Sequence, residues 1–86
     1  MPKIEIYTQA GCPFCARAVA LLRAKKVDFQ EINAPGGSPE REQARQRSGG
    51  RTSAPQIFID GRHIGGCDDL VALDGRGELD SMLKAA

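Results

Sequence analysis

The sequence predicts an α/β fold in which four strands form one mixed sheet with helices on both of its faces. Two segments of alternating apolar and polar residues near the amino terminus flank a segment of helical periodicity, which is typical of a parallel β-α-β unit. Further along, Asp60-Gly61 separates two short apolar segments, as in an antiparallel hairpin with a two-residue turn. The length of 86 residues suits one small domain, and we expect residues 1–86 to form it.

The first half of the chain carries the β-α-β pattern. Residues 3–8 alternate apolar and polar side chains and predict the first strand. A helix is predicted from Pro13 to about residue 25, because apolar side chains recur there at i, i+3, i+4 and i+7. These side chains are Cys15, Ala18, Val19 and Leu22. Residues 27–32 alternate again and predict the second strand.

The second half of the chain predicts a helix, a hairpin and two short helices. Ser38 followed by Pro39 is a helix start signal, and Gly49-Gly50 ends that helix near residue 48. Ala44 is almost its only apolar residue, so we expect a loosely packed surface helix. The remaining predicted elements are strands at 56–60 and 62–64 and helices at 67–73 and 78–84. The order is therefore β-α-β-α-β-β-α, followed by a last helix.

Two cysteines, Cys12 and Cys15, lie where the first strand gives way to the first helix. A C-x-x-C motif in this position indicates a thioredoxin-like redox centre. The free N–H groups and the macrodipole at a helix amino end favour a thiolate, so we expect the pKa of Cys12 to be lowered. Pro13 suits the first helical position, and Cys15 lies three residues on along the same face. We therefore expect an exposed, activated thiol at Cys12 and a second thiol at Cys15 that can close a disulfide with it.

Composition argues against several other classes of protein. Twelve basic and eleven acidic residues leave a net charge of +1, which gives no reason to expect nucleic acid or an anionic membrane as partner. No apolar segment approaches the ~18 residues of a membrane span, and we see no signal peptide before the first strand. Three cysteines, an odd number, argue against a secreted disulfide scaffold. We therefore expect a cytoplasmic location.

Four blocks of sequence together resemble the glutaredoxin family, in particular its small bacterial dithiol members. They are EIYT at 5–8, CPFC at 12–15, PQIFID at 55–60 and HIGGCDDL at 63–70. The resemblance implies a thioredoxin fold and a glutathione-dependent thiol–disulfide oxidoreductase that acts in cell redox homeostasis and electron transfer. It implies glutathione as co-substrate, no tightly bound cofactor, glutathionylated or disulfide-bonded proteins as partners, and a monomer.

The resemblance also assigns roles to individual residues. It makes Cys12 the nucleophile and Cys15 the resolving thiol. It implies a cis-proline at Pro55 facing Cys12, and at Ala54 a backbone that pairs with the cysteinyl part of glutathione. It places the γ-glutamyl carboxylate on the backbone of residues 66–69 with the ammonium on the Asp69 side chain, and the glycyl carboxylate near Arg41. The implied glutathione-binding residues are Gln9, Pro13, Phe14, Arg41, Ser53, Ala54, Pro55, Gly66, Cys67, Asp68 and Asp69.

Three residues depart from the family pattern. Gln9 stands where the family usually has lysine, so one cation is absent before the active site. Phe14 replaces the commoner tyrosine, which removes a hydroxyl and keeps the ring. Ala54 replaces the usual valine, and we expect glutathione binding to survive because the contact at this position is made by the backbone.

Other interpretations of the same residues stay open at this point. Cys12, Cys15, His63 and Cys67 have the residue types of a zinc site, although we expect no metal. An iron–sulfur cluster shared by two copies through Cys12 is known in the wider family, and Pro13 disfavours it. A thioredoxin-like protein reduced by a dedicated reductase is a further alternative, disfavoured by the 65–69 block.

Several residues also have plain structural interpretations. Cys67 is either a small packing residue or a third redox thiol, and we expect His63 on the hairpin to have no chemical role. Asp68 and Asp69 have the sign of ordinary helix-start charges. The second helix carries Arg41, Arg45 and Arg47, which we expect to form a solvated face, with Arg41 alone as a candidate ligand contact.

Overall fold

The computed structural model describes residues 2–84, which form four strands and four helices. The strands are β1 (Ile4–Thr8), β2 (Gln30–Asn33), β3 (Gln56–Ile59) and β4 (Arg62–Gly65), and the helices are α1 (Pro13–Ala24), α2 (Pro39–Arg47), α3 (Cys67–Gly75) and α4 (Glu78–Lys84). The strands form one sheet in the order β2-β1-β3-β4, in which β1 and β2 are parallel and the other pairs antiparallel. The predicted four-stranded mixed sheet is confirmed.

The two faces of the sheet pack against different helices. Strand alternation directs Ile4 and Ile6 of β1 to one face, where they join an apolar cluster with side chains of α1, α3 and α4. It directs Tyr7 to the other face, where Tyr7 packs with Phe58 and with Ala44 of α2. Helices therefore cover both faces, as predicted.

The first helix agrees closely with its apolar pattern. All four residues of the predicted stripe are buried, and they are the buried residues of α1. The chain then leaves the helix through Lys26, whose φ of 58° lies in the left-handed region. The Asp60-Gly61 turn is also confirmed, since both residues have positive φ, 52° and 79°, as a two-residue hairpin turn of this type requires.

The second strand was predicted to begin at residue 27, and this is wrong. Its pairing with β1 begins at Gln30, which lies opposite Glu5, and it ends at Asn33 opposite Thr8. Val27 and Phe29 are instead half-buried against the main apolar cluster, so their alternation reflects packing in the connection and not pairing in the sheet. The other predicted ends differ from the observed ones by up to two residues.

The prediction of a solvated arginine face on α2 is wrong for Arg47. Its guanidinium lies 4.1 Å from the centre of the Phe58 ring and donates hydrogen bonds to the Glu5 carboxylate at 2.9 and 3.2 Å. It also donates to the Tyr7 hydroxyl at 2.8 Å. Polar contacts thus hold α2 on the sheet, in addition to the buried Ala44. None of the helices within residues 2–84 combines the length and the apolar character needed to cross a membrane.

Candidate active site

The two cysteines of the C-x-x-C motif meet at the first turn of α1. Cys12 is the N-cap of the helix in an extended conformation, and Pro13 takes the first helical position. The Cys12 and Cys15 sulfurs form a disulfide, with their Cα atoms 5.2 Å apart. The Cys15 N–H lies 3.1 Å from Cys12 Sγ, so a helix-start donor points at this sulfur. Cys12 is half-buried, whereas Cys15 is 3% exposed and faces the core.

The loop before β3 lies directly beside Cys12. The Ala54–Pro55 peptide bond is cis, as the resemblance implies. The carbonyl oxygen of Ala54 lies 3.8 Å from Cys12 Sγ, so this loop and the start of α1 form the two sides of one site. Pro55 is buried, while Ser53 is exposed and Ala54 is half-exposed.

A groove of about 190 Å³ lies against the loop before β3, whose Ala54 carbonyl is 3.8 Å from Cys12 Sγ. Its walls are the loop before β3, the amino end of α3 and the ring of Phe14, which is 54% exposed. The structure brings together eight residues of the expected binding set here: Phe14, Ser53, Ala54, Pro55, Gly66, Cys67, Asp68 and Asp69. Arg51, which the sequence prediction did not include, also lines the groove.

The amino end of α3 supplies the polar wall of the groove. Asp69 Oδ2 accepts a hydrogen bond of 2.9 Å from the N–H of Gly66, the N-cap residue. This bond lowers the pKa of Asp69. The positive charge of Arg51 lowers the pKa further, and burial partly opposes both effects. Gly65 has a φ of +124°, and a Cβ there would overlap the Asp69 carboxylate. Glycine at 65 is therefore needed for the Asp69 side chain to reach back over the helix start.

Arg51 forms a loose ion pair across the groove. Both of its terminal nitrogens lie 3.4 Å from Asp69 Oδ2, and both side chains are nearly half exposed. Arg51 follows Gly49-Gly50 and precedes the loop at 53–55 by two residues. The position of a basic residue so close to that loop could have indicated Arg51 from the sequence. It was missed because Arg51 lies outside α2, where helical periodicity does not apply.

Gln9, Pro13 and Arg41 lie outside this groove. Gln9 and Pro13 line an adjacent open cavity together with Cys12 and Cys15. The Arg41 guanidinium donates hydrogen bonds to Gln9 Oε1 at 2.7 Å and to backbone carbonyls of Ala34 and Thr52. The expectation of a solvated face therefore fails for Arg41 as well as for Arg47, whereas the exposed Arg45 pairs with Glu42 on α2.

Cys67 and His63 occupy different surroundings from the redox pair. Cys67 is buried at the first position of α3, and burial raises the pKa of its thiol. His63 lies on β4, where its Nε2 is 2.7 Å from Gln56 Oε1. Within residues 2–84 no three cysteine, histidine or acidic side chains come together as a group that could hold a metal ion.

Comparison with known proteins places this geometry in a family. The sequence model of the family described as Glutaredoxin matches residues 4–64. Glutaredoxin 3 of Escherichia coli K12 is 58% identical over 84 residues, which are 98% of this chain and all of that protein. A glutaredoxin of Pseudomonas aeruginosa is 53% identical over 85 residues, 99% of this chain and all of that protein. The chain belongs to the glutaredoxin family.

Solved glutaredoxin structures have the same fold. The solution structure of a Brucella melitensis glutaredoxin superimposes with a TM-score of 0.80 at 54% identity, over 95% of this chain and 88% of that one. A buckwheat glutaredoxin in complex with glutathione superimposes with a TM-score of 0.82 at 28% identity, over 93% of this chain and 74% of that one. The fold of this glutaredoxin is therefore the thioredoxin fold, and the protein is a thiol–disulfide oxidoreductase with the Cys12–Cys15 pair as its redox centre.

Proposed function

We propose that this glutaredoxin reduces glutathione mixed disulfides and protein disulfides, with Cys12 as nucleophile and Cys15 as resolving thiol. One observation carries the assignment. Cys12 is partly exposed and lines an open cavity, with a helix-start N–H 3.1 Å from its sulfur, while Cys15 is buried. An attacking thiolate needs both access and stabilisation, and only Cys12 of this pair has both.

The first reaction uses Cys12 alone. Its thiolate attacks the glutathionyl sulfur of a protein mixed disulfide, the S–S bond of the substrate breaks, and the electron pair leaves on the protein thiolate. A second glutathione thiolate then attacks the glutathionyl sulfur on Cys12. Oxidised glutathione is released and the Cys12 thiolate returns, so each protein thiol formed is balanced by one molecule of glutathione disulfide.

The second reaction needs both cysteines. Cys12 attacks one sulfur of a protein disulfide and forms a mixed disulfide with it, releasing the other protein thiolate. The Cys15 thiolate then attacks Cys12 Sγ, closes the intramolecular disulfide and releases the second protein thiol. Two molecules of glutathione reduce that disulfide in turn.

The groove supports a definite position for glutathione. Its cysteinyl sulfur would meet Cys12, and its backbone would pair with the backbone at Ala54. The γ-glutamyl carboxylate would take the N–H groups at the start of α3, where the helix dipole adds to the hydrogen bonds, and the ammonium would pair with Asp69. In this arrangement Phe14, Ser53, Pro55, Gly66, Cys67 and Asp68 are the remaining groove contacts.

Residues at the other end of glutathione play a smaller part in this proposal. Gln9, Pro13 and Arg41 line or adjoin the cavity on the other side of Cys12, and Arg41 is occupied by Gln9 and two carbonyls. The glycyl carboxylate would have to share or displace these partners. We further propose a monomer of one domain that works in the cytoplasm with glutathione as co-substrate and no tightly bound cofactor.

Replacement of each cysteine tests the division of roles. Cys12→Ser should abolish both reactions. Cys15→Ser should keep reduction of a glutathionylated peptide and lose reduction of a protein disulfide that needs two thiols. The measurement is glutathione-dependent turnover of the two substrates. Cys67→Ser is the matched control, because it keeps the backbone N–H at the start of α3, and it should retain both reactions. Equal loss in Cys12→Ser and Cys15→Ser would contradict the assignment.

A further inference from the structure

Gln56 is a buried amide with a partner at each end. Its residue is 1% exposed, and a buried polar side chain of this kind needs hydrogen bonds to offset the loss of water. Its Nε2 donates to the carbonyl oxygen of Ser53 at 2.9 Å and to the Ser53 hydroxyl at 3.2 Å. Its Oε1 lies 2.7 Å from His63 Nε2. The side chain thus connects β4 to the loop that precedes Pro55.

The chemistry of these contacts fixes which atoms donate. A backbone carbonyl can only accept, so the NH₂ group of Gln56 must face Ser53 and the amide oxygen must face His63. His63 must then carry a proton on Nε2. Burial and the positive charge of Arg51 lower the pKa of His63, which favours the neutral ring with one N–H group. The ring is also held in place by packing on Phe58, with ring centres 5.1 Å apart.

The loop held in this way is the one that faces the reactive sulfur. Ser53, Ala54 and Pro55 all line the groove, and the Ala54 carbonyl lies 3.8 Å from Cys12 Sγ. A substrate that pairs with backbone at Ala54 needs that backbone held in one conformation, because binding to a mobile loop carries an added ordering cost. The bond from Gln56 to the Ser53 carbonyl lies one residue from that contact.

We infer that Gln56 and His63 are positioning residues, which hold residues 53–55 in the conformation that receives the glutathionyl moiety of the substrate. Neither side chain needs to touch the substrate. This inference rests on the proposed function for the identity of the substrate, but the order imposed on the loop exists in the free protein. It gives His63 a role that its position on a hairpin strand does not suggest.

The decisive variant is Gln56→Met, which is similar in size and removes both the donor and the acceptor. The KM for a glutathionylated peptide should rise about fivefold to 150-fold, the range that follows when a buried hydrogen-bonding group loses its partner. The kcat should change less than threefold, because Cys12 and its helix are untouched. NMR order parameters at Ser53 and Ala54 in the free protein should fall from about 0.85 towards 0.6.

Tyr7→Phe is the matched control. Tyr7 lies opposite Gln56 in the sheet, and its hydroxyl donates to Gln43 at 2.6 Å and accepts from Arg47 at 2.8 Å, so the substitution removes hydrogen bonds to α2 and none to the loop before β3. Its KM and its order parameters at Ser53 and Ala54 should stay at the wild-type values even where its stability is reduced. An equal rise in KM in Tyr7→Phe would mean that general loosening is responsible, and would overturn the positioning role.

Two substitutions at His63 decide the matter if Gln56→Met does not fold. His63→Leu removes the donor to Gln56 and should raise the KM, whereas His63→Gln keeps a side-chain N–H and should restore most of the loss. Wild-type KM and order parameters in His63→Leu would overturn the inference. Absence of glutathione-dependent turnover in the wild type would refute the proposed function instead, and the order parameters would still decide whether Gln56 and His63 hold the loop.

Discussion

The Cys12 sulfur receives its nearest donor from the backbone and not from a charged side chain. The Cys15 N–H lies 3.1 Å from it, and Gln9 stands where the family usually has lysine. A helix amino end contributes roughly 0.3–1 kcal/mol and at most about 2 kcal/mol to an anion there. Any further stabilisation of the Cys12 thiolate therefore has to come from direct hydrogen bonds to its sulfur.

Alkylation of the reduced protein tests this stabilisation. In a Cys15→Ser, Cys67→Ser variant only Cys12 can react. We expect the rate with iodoacetamide to reach half its maximum at or below about pH 6, within the range seen for thiols at helix starts. A half-maximal rate near pH ~8.5, the value of a free cysteine, would show that the helix start does not activate Cys12.

The proposed binding mode gives Asp69 two roles that one substitution can separate. Asp69→Asn keeps an oxygen that can accept from the Gly66 N–H and removes the charge that would meet the ammonium of glutathione. Exposed ion pairs contribute about 0.2–1 kcal/mol, and charge-assisted hydrogen bonds in drier sites about 1.5–3 kcal/mol. We therefore expect the KM for glutathione to rise roughly threefold to a hundredfold.

Steady-state kinetics with varied glutathione measure this rise. Asp68→Asn makes the same change in net charge one residue away and should give a clearly smaller increase. Equal increases would assign the effect to the general field of the helix start. An unchanged KM in Asp69→Asn would leave the backbone as the anchor at the γ-glutamyl end.

Helix α2 is attached to the sheet by charge and hydrogen bonding more than by apolar contact. Arg47 binds the nearly buried Glu5 carboxylate, and its hydrogen bond lowers the pKa of Glu5. A carboxyl whose pKa is lower in the folded protein stabilises the fold above its unfolded pKa of ~4.3, and loses that contribution as the pH falls through its folded value. Acid should therefore loosen this attachment.

Glu5→Gln tests this dependence of stability on pH. We expect it to lower the free energy of unfolding by about 1–3 kcal/mol at pH 7, where the charged hydrogen bond is intact. Between about pH 5 and pH 3 its stability should fall less than that of the wild type. Urea denaturation across this range is the measurement. Glu42→Gln, which breaks the exposed pair with Arg45, is the control and should change stability little at any pH.

Patterns within short stretches of sequence predicted the helices and turns that such stretches determine. The features that they missed depend on contacts between residues far apart in the sequence. The four-residue stripe of α1 and the turn at Asp60-Gly61 follow from periodicity and from backbone preference, and both are found. The start of β2 depends on where Glu5 can pair, which no pattern within residues 27–32 records. Arg47 and Arg51 find their partners across 42 and 18 positions of sequence, so their contacts required the folded chain.

The same limit applies to the candidate site. The cysteines and the groove residues from the resemblance could be predicted because they lie in compact blocks of sequence. Gln56 could not be assigned a role, because a glutamine at the start of a buried strand shows its value only when Ser53 and His63 lie at its two ends. Gln9 and Arg41 likewise meet only in the folded protein.

At the scale of the whole molecule, the Cys12–Cys15 couple should come to redox equilibrium with glutathione. Glutaredoxins have reduction potentials of roughly −200 to −230 mV, and we expect this value for the Cys12–Cys15 couple. Equilibration with defined ratios of reduced and oxidised glutathione, read by the alkylated fraction, measures it. A potential near that of thioredoxin, about −270 mV, would instead favour reduction by a dedicated reductase.

The unequal covering of the two sheet faces implies an unequal response to temperature. Release of α1, α3 and α4 would expose a large apolar surface and account for most of the heat capacity change of unfolding. The free energy that holds this layer together therefore depends on temperature along a curve with a maximum. Release of α2 would expose the smaller cluster of Tyr7, Ala44 and Phe58 and would break the ion pair and hydrogen bonds of Arg47. Warming should therefore detach α2 before the other layer melts, whereas cooling should leave it in place while the apolar layer weakens.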